Sequence, residues 1–152
     1  MNSSADSVTL PVNPQVETRR TSFSQDAVTL SGINSSATIT VQATELPKIL
    51  NGVQLNIQHP DAVKIESPKC AGIFSEGTAS GSVAVSGGTM IACAVGHGIT
   101  GTNGDVMQFD VVRLKPGNAT LSFGLSGPFK TEYSAGGISV DPGATNGLTI
   151  NS

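Results

Sequence analysis

The stretch "NGVQLNIQHPDAVKIES", residues 51–67, carries the reading of the fold. Val53, Leu55 and Ile57 alternate with Gln54, Asn56 and Gln58. A period of two is that of a strand with one apolar and one polar face. Asn51-Gly52, just before it, invites a turn with positive φ. Pro60, in His59-Pro60-Asp61, has no N–H to give to a ladder, so strand pairing stops there. Asp61 can hold the turn by accepting from nearby backbone N–H groups. Val63 and Ile65 then resume the apolar alternation. This pattern predicts layered sheets, pressed together by every second side chain.

The same pattern recurs outward from this stretch. "DAVTLSG" (26–32) reads as a short strand, and "ATITVQA" (37–43) sets Ile39, Val41 and Ala43 against Thr38, Thr40 and Gln42. "ELPKILNG" (45–52) is a connection, because Pro47 interrupts any helix. "SGSVAVSGG" (80–88) is a small-residue strand, and "TMIACAVG" (89–96) is apolar on both faces, as a central strand is. "GDVMQFDVVRL" (104–114) points Met107, Phe109 and Val111 inward. "NATLSFGL" (118–125) and "NGLTINS" (146–152) close the series. No segment keeps a 3.6-residue apolar period over three turns. The expected fold is therefore all-β: a two-sheet antiparallel sandwich of about nine strands with almost no helix.

Residues 1–25 read as an N-terminal arm or extra edge strand, and residues 26–152 as the sandwich domain. In the arm Val8, Leu10 and Val12 alternate, while Pro11 and Pro14 keep that piece out of a central position. Such a strand serves either as an edge of its own sheet or as a polymerisation arm that pairs with a neighbouring subunit. The first residues, "MNSSADSVTL", have neither the basic region nor the apolar core of a signal peptide. The expectation is a mature or partial chain of an extracellular or cell-surface protein, its signal peptide absent from the sequence given.

Charged residues make up 12% of the 152 positions and the formal net charge is −3, so there is no basic footprint for nucleic acid or anionic membrane. No apolar run approaches the ~20 residues that span a bilayer, so no membrane insertion is expected. Cys70 and Cys93 stand 23 positions apart. Either they form a disulfide, which would contribute ~3 kcal/mol by the chain-entropy model, or they are two small buried thiols.

The order of these features resembles a cohesin domain, within the wider group of cohesin-like and cellulose-binding jelly-roll sandwiches. "ATITVQATEL" matches the family's early alternating strand, and "GVQLNIQHPDAVKI" its extended stretch that ends in Tyr-Asp-Pro or a near variant, followed by an aliphatic pair. Here His59 stands in place of the usual Tyr, and Pro and Asp are exchanged. "MIACAVGHGITGTNGDVMQFDVV", "KPGNATLSF" and "NGLTI" follow in the family's order, so the likeness covers about residues 26–151. The resemblance implies jelly-roll topology and a non-catalytic scaffold module that docks a protein partner, dockerin-like or a second copy, through one sheet face. It further implies that Gln54, Asn56 and Gln58, with Gln108 and Asp110, line that partner-binding face. A plain solvated face is the competing reading of the same row.

Catalysis needs groups held in mutual reach. The two histidines, His59 and His97, stand beside no serine-nucleophile motif, no phosphate loop occurs, and the eleven acidic residues are scattered. No enzyme and no metal site are expected. Calcium is the one cofactor to weigh: "TGTNGD" (100–105) and "DPGATNG" (141–147) offer oxygen ligands in turns, although turn-forming Asn and Asp explain both segments without a metal. A carbohydrate-binding module would want an aromatic platform, and the chain offers no Trp, only Tyr133, Phe23 and Phe129. The alternatives to the docking module are thus a fibre subunit that polymerises through the arm and, more weakly, a carbohydrate-binding module.

Overall fold

The computed structural model of the chain describes residues 18–152. Val8, Leu10 and Val12 lie outside the described residues. The first sheet has the order β1 (Arg20–Phe23), β3 (Ser36–Thr44), β9 (Gly104–Arg113) and β5 (Val63–Cys70). The second is built around β4 (Gly52–Gln58), the strand of the opening stretch. β8 (Gly88–Ala94) pairs with one edge of β4 along its whole length, and β6 (Thr78–Ala79) and β7 (Val83–Val85) lie beyond β8. The other edge of β4 is shared by β10 (Ala119–Phe123) and β11 (Glu132–Ala135). β12 (Ile138–Val140) folds back on β11, while β13 (Leu148–Asn151) pairs with β10 and, in parallel, with β2 (Ala27–Thr29).

The architecture is the expected all-β sandwich, and β4 behaves as its alternation dictates. Val53, Leu55 and Ile57 are 4%, 0% and 0% exposed. Burial of each contributes ~1.5–3 kcal/mol. Ile39, Val41 and Ala43 face them from β3, with Met107, Phe109 and Val111 from β9. The turn after β4 closes with the Val63 N–H donating to the Pro60 carbonyl at 3.3 Å.

The strands number thirteen among the described residues rather than about nine. Part of the excess comes from the β11–β12 hairpin, which the alternation reading passes over. Its two-residue turn is Gly136-Gly137, with φ of 61° and 91°. Positive φ at both central residues matches the twist of the flanking strands and favours glycine. Part also comes from β1, an edge strand that lies within the residues read as an N-terminal arm or extra edge strand. Thr21 and Phe23 are buried, and Phe23 stacks on Phe123 with ring centroids 4.3 Å apart. Residues 20–23 are therefore part of the sandwich. Asn146 fixes this strand from its open side: its side chain accepts from the Phe23 N–H and donates to the Phe23 carbonyl, as a paired strand would.

Cys70 and Cys93 are bonded, with Cα atoms 5.8 Å apart. Cys70 ends β5 in the first sheet and Cys93 lies in β8 of the second, so the bond staples the two layers.

Tyr133, on β11, is fully buried. The Thr21 hydroxyl donates to the Pro142 carbonyl at 2.8 Å, so at its 2.7 Å contact with Tyr133 it accepts from the phenol. Burial, the largest cause, raises the Tyr133 pKa well above its ordinary 10.0, against the smaller opposing influences of Thr21 and Arg19. A raised folded pKa means that the stabilisation is complete below pH 10 and declines as pH rises above it, because the unfolded chain releases the proton first. Tyr133→Phe removes this dependence. Between pH 10 and 12 the wild type should lose up to about 1.4 kcal/mol per pH unit more than the variant. Urea titrations across that range measure the difference. Parallel alkaline limbs would show that Tyr133 is not the group responsible.

Candidate functional site

Residues directly opposite in a ladder share a face. On the outer wall of the second sheet, Gln54 stands beside Ala92, Asn56 beside Met90, and Gln58 beside Gly88. Val83 and Val85 of β7 extend the rows through Met90 and Gly88. Glu132 and Ser122 extend them on the other side from Gln54 and Gln58. β4, β7, β8 and β10 contain no charged residue, so Glu132 is the one charge on these rows. Its carboxylate accepts from the Ser139 hydroxyl.

The amides of this wall are held in place. Gln54 donates to the Lys130 carbonyl at 2.9 Å. Gln58 donates to the Asn56 side-chain carbonyl at 2.7 Å and to the Ser86 carbonyl at 3.2 Å. Asn56, expected outward and open, is only 6% exposed. Gly124 lies over it: a Cβ there would meet the Asn56 Cγ at 2.7 Å. The segment 124–131 bows out between β10 and β11, anchored by Gly124 N–H to the Asn56 carbonyl at 2.8 Å and Asn56 N–H to Thr131 Oγ1 at 3.0 Å. It carries the exposed side chains Leu125 and Phe129. Two clefts flank the amide row. One, about 330 Å3, is lined by Gln54, Ala92, Glu132, Ser134 and Ile138 among others. The other, about 320 Å3, is lined by Asn56, Gln58, Val85, Pro128 and Phe129 among others.

Gln108 and Asp110 do not join this wall. They lie on β9, in the first sheet, and face the opposite side of the sandwich. The alternation of β9 says which side chains point outward but not which sheet carries them. On that wall their groups are already paired: Gln108 donates to Thr40 Oγ1 at 3.2 Å, and Thr38 donates to Asp110 at 2.9 Å. Lys64 and Glu66 of β5 form an ion pair at 3.1 Å on the same sheet. The two outer walls thus differ in kind. One carries charged groups on β5 and β9; the other is nearly uncharged, mixed amide and apolar, and bordered by clefts. Depletion of charge with enrichment of Met and aromatic side chains is the composition of interface centres.

The remaining polar groups serve the fold. His59 sits with Nε2 2.8 Å from Thr89 Oγ1. His97 lies beyond the far end of β8, exposed, with Nε2 3.1 Å from Glu76. Its bond to the Gly98 carbonyl, and then the Glu76 carboxylate, raise its pKa. In the two turns weighed for calcium, Asn103 accepts from the Glu45 N–H, Asp105 from Gln42, and Asp141 from the Gly143 N–H. Of the three rings weighed for sugar stacking, Tyr133 and Phe23 are buried in the core and Phe129 is exposed.

Neither a family model nor a curated protein matches the sequence. The likeness is to solved structures. A non-cellulosomal cohesin from the hyperthermophilic archaeon Archaeoglobus fulgidus is 16% identical with a TM-score of 0.64, over 87% of this chain and 88% of that one. A type II cohesin domain from the cellulosome of Acetivibrio cellulolyticus is 15% identical with a TM-score of 0.65, over 88% and 95%. A type I cohesin–dockerin complex from Clostridium thermocellum matches at 11% identity and a TM-score of 0.62, over 88% and 93%. The fold is the cohesin-like sandwich, as the order of sequence features implies.

Proposed function

We propose that this chain is a non-catalytic docking module that receives a protein partner on the outer wall of β4, β7, β8 and β10. The observation that carries this reading is the contrast between the walls, with charge absent from four adjacent strands on one side only. Such a surface loses little on desolvation, while charged groups would have to be stripped of water. Met90 and Ala92 lie at its centre, Phe129 and Val83 at its rim, and the fixed amides between them give directional hydrogen bonds. Solved relatives in fold are bound to dockerins, which makes dockerin-like domains the first partners to try. A place outside the cytoplasm is supported by the Cys70–Cys93 bond, since disulfides persist in oxidising compartments.

The test is a titration against a panel of dockerin domains and against proteins captured from the source's own secreted fraction. For any partner bound, Met90→Lys should weaken affinity at least tenfold, or about 1.4 kcal/mol. Binding that survives Met90→Lys undiminished would rule this wall out.

A further inference from the structure

We infer that the cleft between the segment 124–131 and the β7–β8 hairpin is a binding site for a single neutral sugar ring. The cleft, about 320 Å3, is lined by Asn56, Gln58, Ser86, Ser126, Pro128 and Phe129 among others, and none of its lining residues is charged. Asn56 carries the argument. It is 6% exposed, and three of its four polar groups are used. Its N–H donates to Thr131, its backbone carbonyl accepts from Gly124, and its Oδ1 accepts from Gln58. The fourth, Nδ2, has no partner among the described residues. No side-chain nitrogen or oxygen there is both buried and unpartnered, so this donor is open to the cleft that Asn56 lines. Gly124 keeps it open: a Cβ there would stand 2.8 Å from Nδ2.

The chemistry of the cleft selects the ligand. Gln58 spends its Nε2 on Asn56 and Ser86, which leaves its Oε1 as an acceptor beside Gly87. The site thus offers a fixed donor, an acceptor and the Ser86 and Ser126 hydroxyls, next to the apolar surface of Pro128 and Phe129. An ion entering it would leave water without meeting a counter-charge. A pure hydrocarbon would leave Nδ2 unpaired. A sugar ring matches both halves: its C–H face packs on an aromatic ring, and its hydroxyls donate and accept along one edge. A peptide amide brings one donor and one acceptor on opposite sides of its plane, so it engages fewer of these groups. Of the one Tyr and five Phe in the chain, only Phe129 is not buried, and it is 45% exposed. One ring serves one sugar; a polymer face would need a row of them. The site therefore takes a monosaccharide or the end of a glycan. The inference does not depend on the adjoining wall having a protein partner.

The test is a nuclear magnetic resonance titration of the isotope-labelled full chain, with no protein partner present. The probes are glucose, galactose, mannose and N-acetylglucosamine, with glucuronate as the charged control and N-acetylglutamine methylamide as the peptide control. At least one neutral sugar should shift the side-chain amide resonances of Asn56 and Gln58 saturably at millimolar concentration, and bind more tightly than either control. Phe129→Ala, at an exposed side chain, should weaken that binding roughly threefold or more. Gly124→Ala, which sets a methyl group against Nδ2, should abolish it; if that variant does not fold, Phe129→Ala decides alone. No saturable shift with any of the four neutral sugars would overturn the inference, as would binding that Phe129→Ala leaves unchanged. Tighter binding of the peptide amide than of every sugar would assign the cleft to a protein ligand and overturn the sugar assignment.

Discussion

Arg113→Met should lower folding stability by about 2–4 kcal/mol, because hydrogen bonds from a charged donor to four carbonyl oxygens are lost together. Arg113 ends β9 and is 1% exposed. Its guanidinium has four carbonyl partners: Leu30 at 2.5 Å, Lys115 at 2.7 Å, Gly117 at 2.6 Å and Asn151 at 3.3 Å. Those carbonyls belong to the end of β2, the turn before β10 and the end of β13. One side chain thus ties both sheets together at one end of the sandwich. Met fills similar space but donates nothing: the oxygen of buried Leu30 is left unsatisfied, at about 1–3 kcal/mol, while water can reach those of exposed Lys115 and Gly117. Arg113→Lys should recover only part of the loss, because one ammonium cannot reproduce the planar fork. A urea titration with unchanged m-value reads the effect. A loss below about 1 kcal/mol would mean that these contacts do not hold the end of the sandwich.

Reduction of Cys70–Cys93, or the pair Cys70→Ser/Cys93→Ala, should cost ~3 kcal/mol, because the released unfolded chain regains loop entropy. For a domain of this size that is a fall in melting temperature of roughly 6–12 °C. The bond joins layers that the core already holds, so the reduced protein should stay folded at room temperature. Circular dichroism with and without reductant measures both outcomes. Loss of the strand signal at 25 °C on reduction would show that the core alone is insufficient, and an unchanged melting temperature would show that the staple does nothing.

The inward residues were legible because a period of two is a local property. Val53, Leu55 and Ile57, and likewise Ile39, Val41 and Ala43, sit where their alternation requires. Sheet membership is not local. Gln54 and Gln108 present the same outward amide signature, yet strand order places them on opposite walls. The burial of Asn56 depends on Gly124, 68 positions away, whose missing side chain leaves room for the contact. Arg113 reads in sequence as an ordinary charged strand end, and its four carbonyl partners come from three separate parts of the chain. One miss had a usable signal. Gly136-Gly137 between "TEYSA" and "ISV" marks a hairpin. Thr21 and Phe23 alternate with Arg20 and Ser22, which marks the strand within the stretch read as an arm or extra edge strand.

The claim on which function rests is that one wall, and not the other, meets a partner. A paired titration tests it most directly: one bound partner, measured against Met90→Lys on the second sheet and Thr40→Lys on the first. Docking on the uncharged wall predicts at least a tenfold loss for Met90→Lys and an affinity within twofold of wild type for Thr40→Lys. Loss with Thr40→Lys alone, or equal loss with both, would contradict it.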